Sequence, residues 1–466
     1  MTEKGNPEFR ELGLEDMIRL RRGGLLRRFV HALVSITLRL FFRRIETANA
    51  DRIPEEGASI FVMNHPNGLI DPALIFVTIP RSFSFLAKST LFDFPVLGRV
   101  LRLLEALPVY RRMDAVDVSQ NEQTFAACID LLARDGAIAL FPEGVSHSSP
   151  KLLPIKTGAA RIAIGTLNAI DPAANVSVSI VPVGLFYTSK TTFRSEALIW
   201  FGEPFAVPDD FEKASDSEFR DAVNRLSERI SMSLRELTVN AESDKEIETA
   251  AAAANLFFSV SQTLESDGTL AARFSFVREY LEFDSDDSEG EDLTARVSGF
   301  KRKLRALGLR PENLELAEEP VSFVLSKFIA RVTILLAASP IALLGTVVHF
   351  PAYQLSKFIA TRYTHHGVDD IISTVKVVSG MVLMPLSWFA VAVAVYWFTG
   401  SALAMLVIPG IIMIGYIALR WWEEFVGLRG WFKAVWLLIT RRKILVQVLR
   451  ERRRLLRSLN RVGRKE

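Results

Sequence analysis

A single cysteine, Cys128, stands among 466 residues, so the chain can close no disulfide within itself and offers no cysteine cluster to a metal. Histidine is scarce too, with six in all, and His349, His365 and His366 flank apolar runs without the spacing of a metal site. No glycine-rich lysine loop of the nucleotide-binding kind occurs, and no segment repeats, which sets aside P-loop enzymes and solenoids. The first apolar stretch, Phe29 to Phe42, begins late and no small-residue cleavage site follows it, unlike a signal peptide.

Apolar surface, by contrast, is in excess. A mean hydropathy of +0.22 coexists with 23% charged residues. In one soluble globule these would oppose each other, so the apolar residues must be concentrated locally. They lie in the last third. Val377 to Phe398 is a 22-residue run without charge, enough for roughly 33 Å of helix. Ser401 to Leu419 is a second such run, separated from the first only by Thr399 and Gly400, and the two are expected to form a transmembrane hairpin. Val332 to Phe350 is also long enough, but Pro340 and Pro351 interrupt it, so it is expected to be a re-entrant pair of half-helices or a third span.

The net charge of +3 conceals basic ends and acidic patches between them. Residues 18 to 44 place arginines around Phe29 to Phe42, a segment too short and too charged to cross a bilayer. It is expected to be a basic amphipathic helix on the membrane surface, the alternative being a helix packed on the domain. The tail 429 to 466 is heavily basic, and its interleaved Ile444, Leu445, Val448, Leu449, Leu455 and Leu456 predict an interfacial helix rather than a nucleic-acid arm. Basic segments favour the cytoplasmic side. Placing both ends there requires an even number of crossings, with three as the rival.

Residues 45 to 237 change character. Ala58 to Met63, Ser84 to Leu86, Ala137 to Phe141, Ser177 to Val183 and Ala197 to Phe201 read as strands. Pro72 to Thr78, Glu122 to Arg134, Thr157 to Leu167 and Asp216 to Leu237 read as helices. The alternation predicts an α/β domain with a buried mixed sheet flanked by helices, followed by a C-terminal helical membrane region. Residues 238 to 320 form a helical region with an acidic run, EFDSDDSEGED at 282 to 292, expected to be a solvated linker. The membrane region then covers 321 to 428, and segment 1 to 44 precedes the catalytic domain.

Four blocks carry the chemistry: NHPNGLID at 64 to 71, LPVYR at 107 to 111, FPEGVSH at 141 to 147 and VPVG at 181 to 184. His65 follows a strand, and the Pro66, Asn67, Gly68 turn can fold Asp71 back towards it. A neutral imidazole can take a proton near pH 7, and a carboxylate can fix its tautomer. Arg111 can grip a phosphate through its planar guanidinium, although alone it would read as a surface salt bridge. Glu143 alone would read as a turn carboxylate, Lys156 as an exposed lysine and His147 as a turn histidine.

In this fixed order the blocks resemble the phospholipid and glycerol acyltransferase superfamily. Most of its members separate His and Asp by four residues. The five between His65 and Asp71, together with FPEGVSHSSPKLLPIKTGAA and VPVGL, are similar to the fungal-type glycerol-3-phosphate and dihydroxyacetone-phosphate acyltransferases. The resemblance implies a catalytic dyad of His65 and Asp71. It implies a substrate-binding set of Arg111, Glu143, Gly144 and Lys156, and an acyl-pocket wall of Val181, Pro182, Val183 and Gly184.

The expected reaction moves an acyl group from coenzyme A or acyl carrier protein to glycerol 3-phosphate or dihydroxyacetone phosphate, with no metal and no cofactor. The expected partners are that donor, a glycerol phosphate or lysophospholipid acceptor and a phospholipid membrane, without nucleic acid. The expected location is an integral membrane protein with its catalytic domain on the cytoplasmic face. Two alternatives stay open: a 1-acylglycerol-3-phosphate or other lysophospholipid acyltransferase, and an inactive lipid-binding scaffold.

Overall fold

The computed structural model describes residues 9–19, 23–114, 116–170, 177–207, 216–259, 269–284, 288–311, 314, 321–363, 372–440 and 442–462. It divides into two compact units. The first runs to Asn240 and takes in a later segment ending at Thr374, and the second holds the rest.

The strands of the first unit are β1 (Phe9–Glu11), β2 (Arg44–Ala48), β3 (Ala58–Met63), β4 (Ser84–Lys88), β5 (Leu107–Val109), β6 (Ala137–Leu140), β7 (Val178–Tyr187), β8 (Glu196–Phe201) and β9 (Phe205–Ala206). Its helices are α1 (Leu14–Arg19), α2 (Leu25–Phe41), α3 (Ile70–Thr78), α4 (Leu97–Leu103), α5 (Asn121–Ala133), α6 (Gly158–Ala169) and α7 (Asp216–Glu236). The nine strands form one mixed sheet in the order β1-β2-β8-β7-β3-β6-β4-β5, with β9 beside β7. β7, β3, β6, β4 and β5 run parallel to one another.

Every residue of β3 is buried, because helices cover both faces, and the sequence ASIFVM accordingly shows no polar alternation. One side of the core joins Ile60, Ile138 and Ile180 of the sheet to Leu132 of α5, Ile162 of α6 and Ile230 of α7. Gly184 allows the chain after α7 to lie directly on β7, since a β-carbon there would meet the Leu237 carbonyl oxygen at 2.1 Å. The carboxyl ends of the parallel strands therefore open on one edge of a tightly packed layer, where α/β folds build their sites.

Helix α2 packs His31, Ser35 and Leu38 inward, with His31 against Phe76 of α3 at 5.1 Å. It leaves Leu26, Phe29, Leu33, Ile36 and Leu40 exposed. Those five positions follow a spacing of three and four, one stripe of the helix. One face of this helix is thus packed on the domain and another is apolar and open.

The second unit is helical, with α8 (Asp244–Phe258), α9 (Leu270–Asp284), α10 (Ser288–Leu307), α11 (Val321–Tyr363), α12 (Ile372–Thr399, whose first turn belongs to the first unit), α13 (Val407–Thr440) and α14 (Arg442–Val462). Among the described residues three helices are long and apolar enough to cross a membrane, over Ser322–Arg362, Ile372–Thr399 and Leu403–Leu437. α11 is continuous through Pro340 and Pro351, so the pair of half-helices expected there is not formed. Pro340 deprives the Leu336 carbonyl of its helical donor, and the Ser339 hydroxyl donates to that oxygen at 2.8 Å instead.

α13 packs closely and antiparallel on α11, with Gly345 against Ile414 and Ala418, and Trp421 Nε1 donates to the Leu335 carbonyl at 2.8 Å. The partner expected for this segment was the run at 377 to 398. The basic tail also departs from expectation. Leu445, Val448, Leu455 and Leu459 of α14 are buried against α8, α9 and α10, so its apolar side fills a helical core rather than lying on a membrane. The acidic run is largely helical as well, forming the end of α9 and the start of α10, while residues 285–287 lie outside the described residues.

Candidate active site

Asn64 leaves β3 with its side chain clamped across to β7, accepting from Leu185 N at 2.7 Å and donating to Leu185 O at 3.0 Å. His65 comes next. The chain reverses through Gly68, at φ +39°, and the Asn67 carbonyl accepts from Ile70 N at 2.9 Å. The reversal starts α3 and sets Asp71 in its first turn. Asp71 Oδ2 accepts from His65 Nδ1 at 2.8 Å and from Asn67 N at 2.7 Å. Its Oδ1 accepts from the Tyr187 hydroxyl at 2.5 Å. His65 and Asp71 are thus brought into contact, and the five-residue spacing is accommodated by the turn.

The imidazole of His65 stacks on Phe141 with ring centres 3.9 Å apart and 15° between planes. With Nδ1 committed to Asp71, Nε2 is the free nitrogen, without a partner among the described residues, and the side chain borders a cleft. An imidazole held by its Nδ1 proton presents Nε2 as a base.

Arg111 follows β5. Its Nε donates to Asp114 Oδ2 at 2.8 Å, Nη2 to Asp114 Oδ1 at 3.2 Å and Nη1 to the Gly144 carbonyl at 2.8 Å. Lys88, the last residue of β4, also reaches Asp114 Oδ1, at 2.8 Å. The Arg111 hydrogen bonds, helped by Lys88, hold the Asp114 carboxyl down at about 2. Lys156 lies over Gly144, where a β-carbon would come within 2.4 Å of its Nζ and φ is +73°. One carboxylate thus orients two cations beside a third, leaving a positive surplus that suits a phosphate.

His65, Lys88, Arg111, Gly144 and Lys156 line one cleft of about 1320 Å³, larger than the roughly 300–1,000 Å³ of pockets for small ligands. Most of its wall is apolar, with Val30 and Val34 from α2, Phe76 from α3, Leu97 and Leu101 from α4 and Phe125 from α5. Thr374, in the first turn of α12, also borders the cleft and accepts from Leu69 N at 3.1 Å. Among the described residues no group of His, Cys, Asp and Glu is placed to hold a metal ion.

Two expectations need correction. Glu143 has no exposed side-chain surface. Its Oε1 accepts from His65 N at 2.8 Å, and Oε2 accepts from Leu153 N at 2.8 Å and from His147 Nε2 at 2.5 Å. It braces the loop of His65 from beneath and does not face the cleft. Val181, Pro182, Val183 and Gly184 are buried in the middle of β7 and line no part of the cleft. A strand interior to a covered sheet cannot present side chains at the site, so the apolar wall comes from helices instead. Lys88, Asp114 and Tyr187 join the site unannounced by the sequence reading. The spacing of three between Arg111 and Asp114 was the one local sign of such a pair.

The Acyltransferase family model matches residues 44–185, and the model of the glycerol-3-phosphate acyltransferase 2 C-terminal domain matches residues 249–463. Glycerol-3-phosphate O-acyltransferase 2 of Saccharomyces cerevisiae is 27% identical over 301 residues, covering 62% of this chain and 40% of the relative. Glycerol-3-phosphate O-acyltransferase 1 of the same yeast is 28% identical over 279 residues, covering 57% of this chain and 36% of the relative. The chain thus spans about two fifths of the length of these two yeast relatives. Among solved structures, the 1-acyl-sn-glycerophosphate acyltransferase PlsC from Thermotoga maritima is 22% identical with a TM-score of 0.31, over 47% of this chain and 86% of that one. Residues 44–185, which carry His65, Asp71, Arg111 and Glu143, match the Acyltransferase family model, and the chain is similar to the fungal-type glycerol-3-phosphate acyltransferases.

Proposed function

We propose that the chain transfers a fatty acyl group from an acyl thioester to a hydroxyl of glycerol 3-phosphate or dihydroxyacetone phosphate, forming the lysophosphatidic acid class of product at a membrane. The observation that carries this reading is the His65–Asp71 pair opening, through Nε2, into an apolar cleft whose polar end holds Arg111, Lys88 and Lys156.

The acceptor phosphate is held at the cations, which brings a hydroxyl beside His65. His65 Nε2 takes the hydroxyl proton as the oxygen attacks the thioester carbonyl. The carbon–sulfur bond then breaks, and the proton passes to the departing thiolate. Asp71 stabilises the imidazolium in between. The acyl chain occupies the apolar part of the cleft. The exposed stripe of α2, which also sends Val30 and Val34 into the cleft, is the side proposed to meet lipid. The basic segments around the stripe and in the tail favour the cytoplasmic face.

The test is acyl transfer by purified protein from a labelled long-chain acyl-coenzyme A, with glycerol 3-phosphate, dihydroxyacetone phosphate and 1-acylglycerol 3-phosphate as competing acceptors. Product from a small acceptor, lost in His65→Ala, is expected. Product from the acylated acceptor alone would move the enzyme to the second acylation, and activity retained by His65→Ala would remove His65 as the base.

A further inference from the structure

Tyr187 is the last residue of β7 and is 8% exposed. The parallel register sets Val183 beside Met63, and the Asn64 clamp on Leu185 locks the two strand ends together. Tyr187, two residues further on, is thereby carried beneath the loop that joins His65 to Asp71. Its ring stacks on Phe42, with centres 5.7 Å apart. Its hydroxyl meets Asp71 Oδ1 at 2.5 Å.

Packing alone explains an aromatic ring here, but a phenylalanine would pack as well. The hydroxyl has one use in this place. Asp71 has no exposed side-chain surface, and a buried carboxylate survives as an anion only when donors satisfy it. Oδ2 is taken by His65 Nδ1 and Asn67 N, leaving Oδ1 to Tyr187. Without that third donor Oδ1 would be buried and unsatisfied, the carboxylate would be held through Oδ2 alone, and its undispersed charge would fall on the imidazole.

We propose that Tyr187 is a positioning residue of the catalytic dyad, fixing the orientation and dispersing the charge of Asp71 and acting on catalysis through it. Burial and the neighbouring Asp71 charge push the phenol well above its ordinary pKa, so it stays a donor throughout the working range. Asp71 is the charged group in contact with the hydroxyl. Around His65 the ionisable neighbours are Asp71 on the ring, Glu143 on its backbone N–H and His147, whose backbone N–H donates to the His65 carbonyl at 3.1 Å, with Arg111, Lys88 and Lys156 lining the same cleft.

The assignment rests on the reading of His65 as the base, and its test separates the two. In full-length Tyr187→Phe, kcat for glycerol 3-phosphate is expected to fall about tenfold or more while KM moves little, as for a group acting mainly in the transition state. The carboxylate charge, no longer shared with the phenol, acts more strongly on His65. The acid limb of the kcat/KM profile therefore moves to higher pH. Combined with Asp71→Asn, Tyr187→Phe should add less than about a twofold loss, since the two act as one unit. Coincident pH profiles, or losses that multiply, would overturn the assignment.

The modification rate of His65 by diethyl pyrocarbonate, followed by peptide mass spectrometry against pH, reports the same shift without turnover. If that shift occurs in a protein that acylates none of the acceptors, the proposed function falls and the role of Tyr187 stands. If the enzyme is active and the shift is absent, the reverse holds. Should Tyr187→Phe not fold, 3-fluorotyrosine inserted at position 187 keeps the shape and strengthens the donor. It must then move the limb the other way, to lower pH, and an unmoved limb overturns the assignment.

Discussion

Glu143 accepts from three donors with two oxygens and shows no surface to the cleft, so its residue type serves the backbone of His65 rather than a substrate. In Glu143→Gln the amide has a single acceptor oxygen, so at least one buried donor faces an NH2 group. Leaving a buried donor unsatisfied costs about 1–3 kcal/mol. The expected outcome is a lowered melting temperature with the acceptor KM nearly unchanged, whereas a raised KM at unchanged stability would return Glu143 to the substrate. Asp114 works through orientation too, since it aims Arg111 and Lys88. Asp114→Asn should raise the acceptor KM, measured by initial rates. Its carboxyl lies near 2 against an ordinary 3.8, so the stability from this pairing is complete above 3.8 and is lost as pH falls through 2. Titration of Asp114 should therefore add no pH dependence to acceptor binding across the neutral range.

Helix α2 divides its circumference among three surroundings, and this makes a prediction about depth. A packed face and a cleft face leave the stripe of Leu26, Phe29, Leu33, Ile36 and Leu40 exposed among the described residues, and apolar patches of that kind mark an interaction surface. An environment-sensitive fluorophore on a cysteine at 29, 33 or 36 should shift to the blue when the protein enters liposomes. One at Arg28, whose side chain folds back to the Gly23 carbonyl, should report water. Equal, water-like emission from all four would place the stripe against something other than lipid. The same helix marks where sequence reading holds. Ala58 to Met63 and the other buried strands were legible because unbroken apolar runs between turn residues admit few other structures. The His65 and Asp71 pair was legible because its geometry is local. Tyr187 was not, because its partner lies 116 residues away and is met only through the register of β7 on β3. Nor was the fate of α14, since an amphipathic stripe says that something apolar covers it without saying whether that is lipid or protein. Here Arg452, in the middle of that helix, is buried and donates to the Ser259 carbonyl at 3.1 Å.

That contact constrains how the chain threads a membrane. α14 packs on α8, α9 and α10, and Lys303 of α10 meets Glu451 of α14 at 2.5 Å. α10 precedes the three helices able to cross, and α14 follows them. Elements packed on each other are expected on the same side of a bilayer, so the packing of α14 on α8, α9 and α10 predicts an even number of crossings between them, with three full crossings as the rival. Two crossings that include α13 put the turn at Thr399 and Gly400 opposite α14. Cys128 makes the test clean, because burial pushes its thiol up to about 12 and a maleimide needs thiolate. Single cysteines at Glu248, Thr399 and Arg453, probed with a membrane-impermeant maleimide in sealed, oriented vesicles, should give the same accessibility at 248 and 453 and the opposite at 399. Labelling at all three from one side would make every apolar helix a one-sided insertion. Opposite labelling of 248 and 453 would mean that the tail helix leaves its seat on α8, α9 and α10 when the chain enters a membrane. In that case the freed apolar side of α14 would be the surface facing lipid.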